Sequence, residues 1–158
     1  MMSKSDIIAC ASLVATISIG VVTLLSSSET RCDLLGFRWG CSEHTLNAGD
    51  RLSIGQQLES SNGCFMLMLQ DDGNLVLYNK QGTALWSTET FQQKSKYAVM
   101  QRDGHFVIYS EKGSVVWGSN TYGTRGRQLK IENDGNMAIY TLENEVVWAT
   151  NTGGRSCE

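Results

Sequence analysis

The sequence predicts an all-β domain made of three similar units, and two repeated features support this prediction. A nine-residue block occurs three times at a constant interval of 31 residues, at 70–78, 101–109 and 132–140. A tryptophan that follows a short aliphatic run keeps the same interval, at Trp86, Trp117 and Trp148. Because two independent markers share one spacing, the chain uses one supersecondary unit three times.

Composition narrows the size of the domain and the class of partner. At 158 residues the chain has the length of one domain. Its net charge of −3 and its pI of about 5.4 leave no excess of basic surface, so the sequence predicts no nucleic-acid partner. The 16 glycines and the lack of proline indicate many tight turns.

The run from Ile7 to Leu25 has no charged residue, which predicts a targeting or anchoring segment. Its 19 residues approach the ~20 that span a bilayer and exceed the ~7–15 of a signal core. The small residues 26–28 permit cleavage before Glu29. Residues 1–28 are therefore predicted to be a signal peptide or a membrane anchor. The rest of the chain is then secreted, or anchored with its domain outside the cytoplasm.

The cysteines agree with an oxidising compartment. Cys32, Cys41, Cys64 and Cys157 are an even set beyond the apolar run, which predicts two disulfides with three pairings open. Zinc ligation is disfavoured because no C-x-x-C pair occurs. One hypothesis is a bond from Cys157 to the leader at residues 29–44.

Each repeat predicts a hairpin followed by a third strand. The stretches around Leu46 and Leu52 indicate a leading strand with turns. Residues 65–69 then form a strand, Asp72-Gly73 is a turn signal, residues 75–78 return, and a turn at Gly82 leads to the strand with Trp86. The other two units repeat this plan, and no helical period occurs after Leu25.

The two-residue period of a strand assigns the faces. Leu75 and Leu77 share one face, which is large and apolar in every unit, so it is the predicted core face. The equivalent residues are Phe106, Ile108, Met137 and Ile139. The three tryptophans are predicted to close this core along a pseudo-threefold axis, each burying ~150–250 Å².

The opposite face of the first unit combines amide, carboxylate and phenol groups around one small apolar side chain. Its residues are Gln70, Asp72, Asn74, Val76 and Tyr78. A pyranose requires this mixture, because its hydroxyls need donors and acceptors and its C–H face needs an apolar contact. The pattern therefore predicts a sugar site.

These residues resemble the signature of the monocot mannose-binding lectins, also called bulb-type or snowdrop-type lectins. That signature is Gln-x-Asp-x-Asn-x-Val-x-Tyr in three subdomains. The resemblance covers roughly residues 45–152. It implies a β-prism II fold with three pseudo-symmetric subdomains at 45–158, after the leader and the targeting segment. It also implies mannose binding without a metal or other cofactor.

The resemblance assigns a role to each position. Gln70 would meet O3 of mannose, Asp72 and Asn74 would meet O2, Tyr78 would meet O4, and Val76 would pack against the ring carbons. The second copy of the site is Gln101, Asp103, His105, Val107 and Tyr109. The third copy is Glu132, Asp134, Asn136, Ala138 and Tyr140.

The three copies are not equal. His105 replaces the asparagine of the signature, while Glu132 and Ala138 replace its glutamine and valine. The predicted order of strength is first, third, second. Two interpretations of His105 stay open, an inactive site or an altered specificity, and the first copy has the alternative of a scaffold that no longer binds.

The leading functional hypothesis is a metal-independent lectin for mannose-type glycans or glycoproteins, acting in recognition or defence. The alternative is a protein-interaction or structural module with vestigial sugar sites, tethered to a membrane if the N-terminal run is retained. An enzyme is disfavoured because the only histidines are His44 and His105 and no catalytic motif occurs. Members of the resembled family dimerise by exchanging C-terminal strands. Residues 148–154 could support such a homodimer, unless Cys157 ties the end to its own chain.

Overall fold

The computed structural model describes residues 44–157, which contain twelve β-strands and no helix. The strands are β1 Thr45–Asn47, β2 Arg51–Ser53, β3 Gln57–Glu59, β4 Phe65–Leu69, β5 Leu75–Asn79, β6 Ala84–Ser87, β7 Ser95–Met100, β8 Phe106–Ser110, β9 Val115–Gly118, β10 Gly126–Ile131, β11 Met137–Thr141 and β12 Val146–Ala149. The predicted all-β class is confirmed.

The strands form three four-stranded antiparallel sheets. The first sheet has the order β3-β4-β5-β6, the second β2-β7-β8-β9 and the third β1-β10-β11-β12. Each sheet therefore contains the three consecutive strands of one repeat and one short strand from residues 45–59. This confirms the three similar units that the 31-residue interval predicts.

The leading region differs from its prediction. It contains three short strands instead of one, and each joins a different sheet through one inward leucine. The paired residues are Leu46 with Leu129, Leu52 with Ala98, and Leu58 with Leu67. A three-residue strand is too short to show alternation, and two of these partners lie far away in sequence, so the pattern could not reveal them.

The core lies where the inward faces of the sheets meet. Leu75 and Leu77 are completely buried, as are their counterparts Phe106, Ile108, Met137 and Ile139. The three tryptophans pack edge-to-face on one another, with ring centroids 5.6 to 6.0 Å apart. Their predicted packing role is confirmed, and this geometry is the one that aromatic quadrupoles favour.

The repeated Asp-Gly turns close the ring of units. Gly73, Gly104 and Gly135 have φ values of 89°, 91° and 89°, which side chains rarely adopt. Each turn also packs on the next unit, because an added Cβ would meet Ser95, Thr124 or Phe65, respectively, at 3.1 Å or less. These glycines are therefore required by conformation and by space.

The disulfide corrects the hypothesis of a bond from Cys157 to the leader. Cys157 pairs with Cys64, with 5.2 Å between their Cα atoms. Strand β12 also pairs with β11 of its own chain. The disulfide ties the C-terminal end to its own chain, and the homodimer by strand exchange at residues 148–154 stays a prediction.

Several predictions concern residues outside the described range. They include the apolar run 7–25, the leader with Cys32 and Cys41, and the boundary at residue 28, so these stay predictions. The boundary at residue 44 also stays a prediction. Within residues 44–157, no helix has the length and apolarity to cross a membrane.

Candidate functional site

The candidate sugar residues of the first unit lie on the outer face of the first sheet. Register places Met68 opposite Val76 and Met66 opposite Tyr78, in adjacent rows across β4 and β5. The Gln70 side-chain amide donates to the Tyr78 hydroxyl at 2.9 Å. The hairpin thus joins the start and the end of the nine-residue block, one on each side of Val76.

Asp72 both shapes the turn and faces solvent. Its Oδ1 accepts a hydrogen bond from the backbone N–H of Asn74 at 2.8 Å. Its Oδ2 has no hydrogen-bond partner within residues 44–157, and the side chain is exposed. One carboxylate oxygen therefore caps the turn while the other can accept a ligand hydroxyl.

Asn74 is held in one orientation by two donors. Its Oδ1 accepts from the Thr88 hydroxyl and from the Thr90 backbone N–H, both at 3.1 Å. The Nδ2 amino group has no partner in the described part of the chain. Because the oxygen is already occupied, Asn74 presents a donor outward.

The hydroxyl pair that supports Asn74 was missed by sequence reasoning. Thr88 accepts from the Leu75 backbone N–H, and Thr90 donates to the Gly73 carbonyl at 2.8 Å. The other sheets contain equivalent pairs at Ser119 and Thr121 and at Thr150 and Thr152. The sequence contains a hydroxyl-x-hydroxyl pattern at the same 31-residue interval, and this pattern predicts the three pairs.

The apolar position of the site is less open than the alternation predicts. Val76 is only 3 % exposed, Val107 is 1 % and Ala138 is 0 %. Val76 lies between Met68 and Ser87, its register partners on the neighbouring strands. The first site therefore has a narrow apolar floor.

The second copy keeps the outer hydrogen bond but fills the centre. Gln101 donates to the Tyr109 hydroxyl at 2.7 Å, and Asp103 caps its turn by accepting from the His105 backbone. The His105 Nε2 accepts from the Asn120 backbone N–H at 3.1 Å. A Cβ at Gly118 would collide with this imidazole, so the ring occupies space that glycine leaves free.

In the third copy, the polar side chains hydrogen-bond to one another. Glu132 accepts from the Tyr140 hydroxyl at 2.6 Å through Oε1 and from the Asn136 Nδ2 at 3.2 Å through Oε2. The Asn136 Oδ1 accepts from the Thr150 hydroxyl at 3.3 Å. The asparagine amino group that is unpaired in the first copy is therefore already bonded here.

Comparisons with known proteins agree with this architecture. The sequence profile of the D-mannose binding lectin family matches residues 55–126. A monomeric monocot mannose-binding lectin from Gastrodia elata is 37 % identical, with a TM-score of 0.64, over 70 % of this chain and 99 % of its own. The mannose-specific agglutinin of snowdrop (Galanthus nivalis) bulbs, solved with methyl-α-D-mannoside, is 34 % identical, with a TM-score of 0.58, over 70 % and 97 %.

The chain belongs to the D-mannose-binding lectin family. A lectin of Marasmius oreades is also similar, at 32 % identity and a TM-score of 0.65, over 69 % of this chain and 91 % of its own. No curated protein matches the chain. The shared architecture confirms the β-prism II fold that the resemblance implies.

In this lectin the C-terminal tail covers part of the third copy. The Asp134 Oδ2 accepts from the Gly154 backbone N–H at 3.2 Å, and the Asp134 carbonyl accepts from Arg155 at 2.8 Å. A Cβ at Gly153 would lie 2.6 Å from the same carboxylate. The tail thus occupies the carboxylate oxygen that is unpaired in Asp72.

The third copy of the lectin also has a perturbed phenol. Burial, followed by the hydrogen bond to Glu132 and the charges of Glu132 and Asp134, raises the pKa of Tyr140 from 10.0 to about 12. The anionic form would lie beside two carboxylates, so the phenol stays a donor. This fixes the direction of the Tyr140 to Glu132 bond.

A metal site is not evident in the described part of the lectin. Residues 44–157 contain no group of three or more His, Cys, Asp or Glu side chains that could hold an ion. The recurring aspartates cap their turns in all three copies.

Proposed function

We propose that this protein is a metal-independent lectin that binds mannose-type glycans through the first copy of the site. One observation supports this proposal above the others. The first copy leaves the Asn74 amino group and the Asp72 Oδ2 without partners among the described residues. In the second copy the His105 imidazole fills this space, and in the third copy the asparagine amino group is bonded to Glu132.

The available groups of the first copy match a pair of adjacent hydroxyls. Asn74 supplies a donor and Asp72 an acceptor, and the bond from Gln70 leaves the Tyr78 hydroxyl proton available for donation. All of these side chains are half-buried or exposed. Because Asn74 is oriented before a ligand arrives, little rotamer entropy is lost on binding.

The identity of the sugar follows from the relatives. The snowdrop agglutinin is mannose-specific and the Gastrodia elata protein is mannose-binding by name. The first copy has all five residues of the signature, while the second and third copies have substitutions. Mannose is therefore the sugar we assign to Gln70, Asp72, Asn74, Val76 and Tyr78.

The biological setting is part of the proposal. A shallow site with a few hydrogen bonds, each worth ~0.5–1.5 kcal/mol, binds weakly by itself. Useful affinity would come from several chains on one branched glycan or glycoprotein, without catalysis, in recognition or defence. The disulfide between Cys64 and Cys157 supports a location outside the cytoplasm, either secreted or anchored.

Isothermal titration of the full chain with methyl-α-mannoside, with and without EDTA, tests the proposal. We expect binding that EDTA does not change. Asn74→Ala should weaken it at least about tenfold, because a ligand donor is lost and the Thr90 N–H loses its acceptor. Asn136→Ala is the matched control in the third copy. It should change the affinity less than twofold, or ~0.4 kcal/mol in binding free energy, because the Asn136 amino group is already bonded to Glu132.

Two results would contradict the lectin proposal. The first is no heat of binding from a folded native sample, and the second is equal affinity of the native protein and the Asn74→Ala variant. A blank glycan array together with capture of one protein partner, unaffected by Tyr78→Phe, would favour the interaction-module alternative.

A further inference from the structure

Three arginines from two segments of the chain meet at the junction of the second and third sheets. Arg102 lies in the turn between β7 and β8, while Arg125 and Arg127 lie just before β10 and at its start. The two segments pack together, because an added Cβ at Gly104 would lie 2.6 Å from the Thr124 hydroxyl. The Arg127 Nη1 also donates to the Arg102 carbonyl at 2.6 Å. We call these three arginines the arginine cluster.

The guanidinium groups of the arginine cluster are available to a ligand. Arg102 and Arg125 are exposed, and within residues 44–157 their side chains form no hydrogen bond or salt bridge. Arg127 is half-buried, and its bond to a carbonyl leaves its charge uncompensated. The carboxylates of the adjoining turns, Asp50 and Asp103, each accept a backbone N–H. The cluster therefore presents positive charge, although the whole chain has a net charge of −3.

The repeat shows that the fold does not require this concentration of charge. The positions 31 residues earlier carry Asp71, Lys94 and Lys96, a mixed set with one net positive charge. In the third unit Asn133 stands at the position of Arg102, and its side-chain oxygen accepts two hydrogen bonds from the loop before β4. Three arginines at this position are a property of the second unit.

An exposed aromatic ring adjoins the arginine cluster. Tyr122 is 76 % exposed and lies three residues before Arg125. The next residue, Gly123, donates its backbone N–H to the Asp103 carbonyl at 3.0 Å, which fixes this loop against the turn that carries Arg102. An aromatic face offers apolar contact to the C–H face of a sugar ring.

A fourth arginine extends the cationic surface along the second sheet. Arg51 begins β2 opposite Val99, and its guanidinium lies 4.5 Å from the centroid of the Tyr97 ring. Five residues separate Tyr97 from Arg102, which corresponds to about 17 Å at a rise of about 3.4 Å per strand residue. This length exceeds one sulfate or carboxylate group and fits an extended polymer.

We infer that Arg51, the arginine cluster and Tyr122 form a docking surface for an anionic polysaccharide that carries sulfate or carboxylate groups along its chain. Guanidinium groups bind such oxyanions through paired hydrogen bonds, and Tyr122 supplies the apolar contact for a ring. The net negative charge of the protein opposes the broad anionic surface of a duplex or a bilayer, whereas one polysaccharide chain contacts only the cationic strip. This surface is separate from the mannose residues of the first sheet and goes beyond the proposed function.

The first test measures binding of the full chain to immobilised dextran sulfate, with neutral dextran as the comparison. We expect binding to dextran sulfate only, and we expect added NaCl to weaken it because exposed charges are screened. Methyl-α-mannoside should not compete, since it binds the first sheet. Competition by the mannoside, or equal binding to both polymers, would overturn the separate anionic surface.

The second test uses paired charge variants. Arg125→Gln with Arg127→Gln should weaken dextran sulfate binding at least about tenfold, because two charge-assisted contacts are lost. Lys94→Gln with Lys96→Gln is the matched control: it removes the same charge from the equivalent positions of the first unit and should change binding less than twofold. Arg102→Gln alters one exposed side chain and should weaken binding about threefold, even if the double variant is unstable. Equal losses in the arginine and lysine pairs would contradict the inference.

The identity of the partner is tested with two other polyanions. Tighter binding to duplex DNA, or to vesicles that contain phosphatidylserine, than to dextran sulfate would overturn the choice of a polysaccharide. Tyr122→Ala should weaken dextran sulfate binding about threefold, and an unchanged affinity would remove the ring contact from the surface. Failure to bind dextran sulfate while methyl-α-mannoside still binds would overturn this inference and leave the lectin proposal in place.

Discussion

The first and second sheets share the strand order, the turn glycine, the hydroxyl pair and the Gln–Tyr bond, yet their outer faces present different surfaces. The difference is one pair of positions across neighbouring strands. The first sheet has Asn74 and Ser87 where the second has His105 and Gly118, and the His105 ring lies against Gly118. The larger ring is accommodated by the smaller neighbour, so the fold is preserved while the centre of the site is filled.

The third sheet shows another route to a closed site. Its carboxylate at Glu132 accepts both donors that a ligand would use, and the tail residue Gly154 occupies the remaining oxygen of Asp134. Its strand order and its buried core match those of the first sheet, although its central hairpin has a bulge between Gly126 and Gln128 that the first sheet lacks. Availability of unpaired polar groups, rather than fold, therefore distinguishes the first site from the other two.

The largest expected effect concerns the tie between the first sheet and the tail of the third. Removing the disulfide with Cys64→Ala and Cys157→Ala should lower the free energy of unfolding by about 2–5 kcal/mol, because the bond closes a long loop with a sequence separation of 93. Urea denaturation monitored by tryptophan fluorescence measures the change. An unchanged midpoint and slope would show that this bond does not stabilise the domain.

The pair that distinguishes the second sheet gives the next largest effect. Gly118→Ala should destabilise the domain by about 1–3 kcal/mol, because the methyl group overlaps the His105 ring. Adding His105→Asn should recover most of this loss, and a double-mutant cycle by denaturation measures the coupling. Ala149→Gly at the equivalent position of the third sheet is a control whose effect His105→Asn should not alter. Strictly additive energies at 105 and 118 would contradict the account.

The smallest effect concerns the closed network of the third sheet. Glu132→Gln should lower the pKa of Tyr140 from about 12 toward 10.0, since it removes a neighbouring charge while burial persists. The raised pKa stabilises the native protein fully below pH 10, and this contribution is lost as pH rises through about 12. Tyrosinate absorbance during an alkaline titration follows the phenol. Tyr78→Phe is the control, because it removes a phenol from the first copy and should leave the transition of Tyr140 unmoved.

Much of this fold was predictable from the sequence because the same residue pattern occurs three times. The inward leucine face, the tryptophan triad and the Asp-Gly turns depend on local periodicity, and the structure confirms each. The leading strands, the Thr88 support of Asn74 and the Cys157 partner depend on contacts between distant residues. His105 itself indicated that the second site could be filled, but the role of Gly118 could not be predicted, since Gly118 becomes its neighbour only when β8 and β9 pair.

The central claim is that one of three similar faces is open to mannose, and a crystal of the full chain soaked in methyl-α-mannoside tests it most directly. We predict ordered sugar at the first site, with hydroxyls bonded to the Asn74 Nδ2 and the Asp72 Oδ2, and no sugar at His105. Sugar bound at the second or third site while the first stays empty would contradict the account.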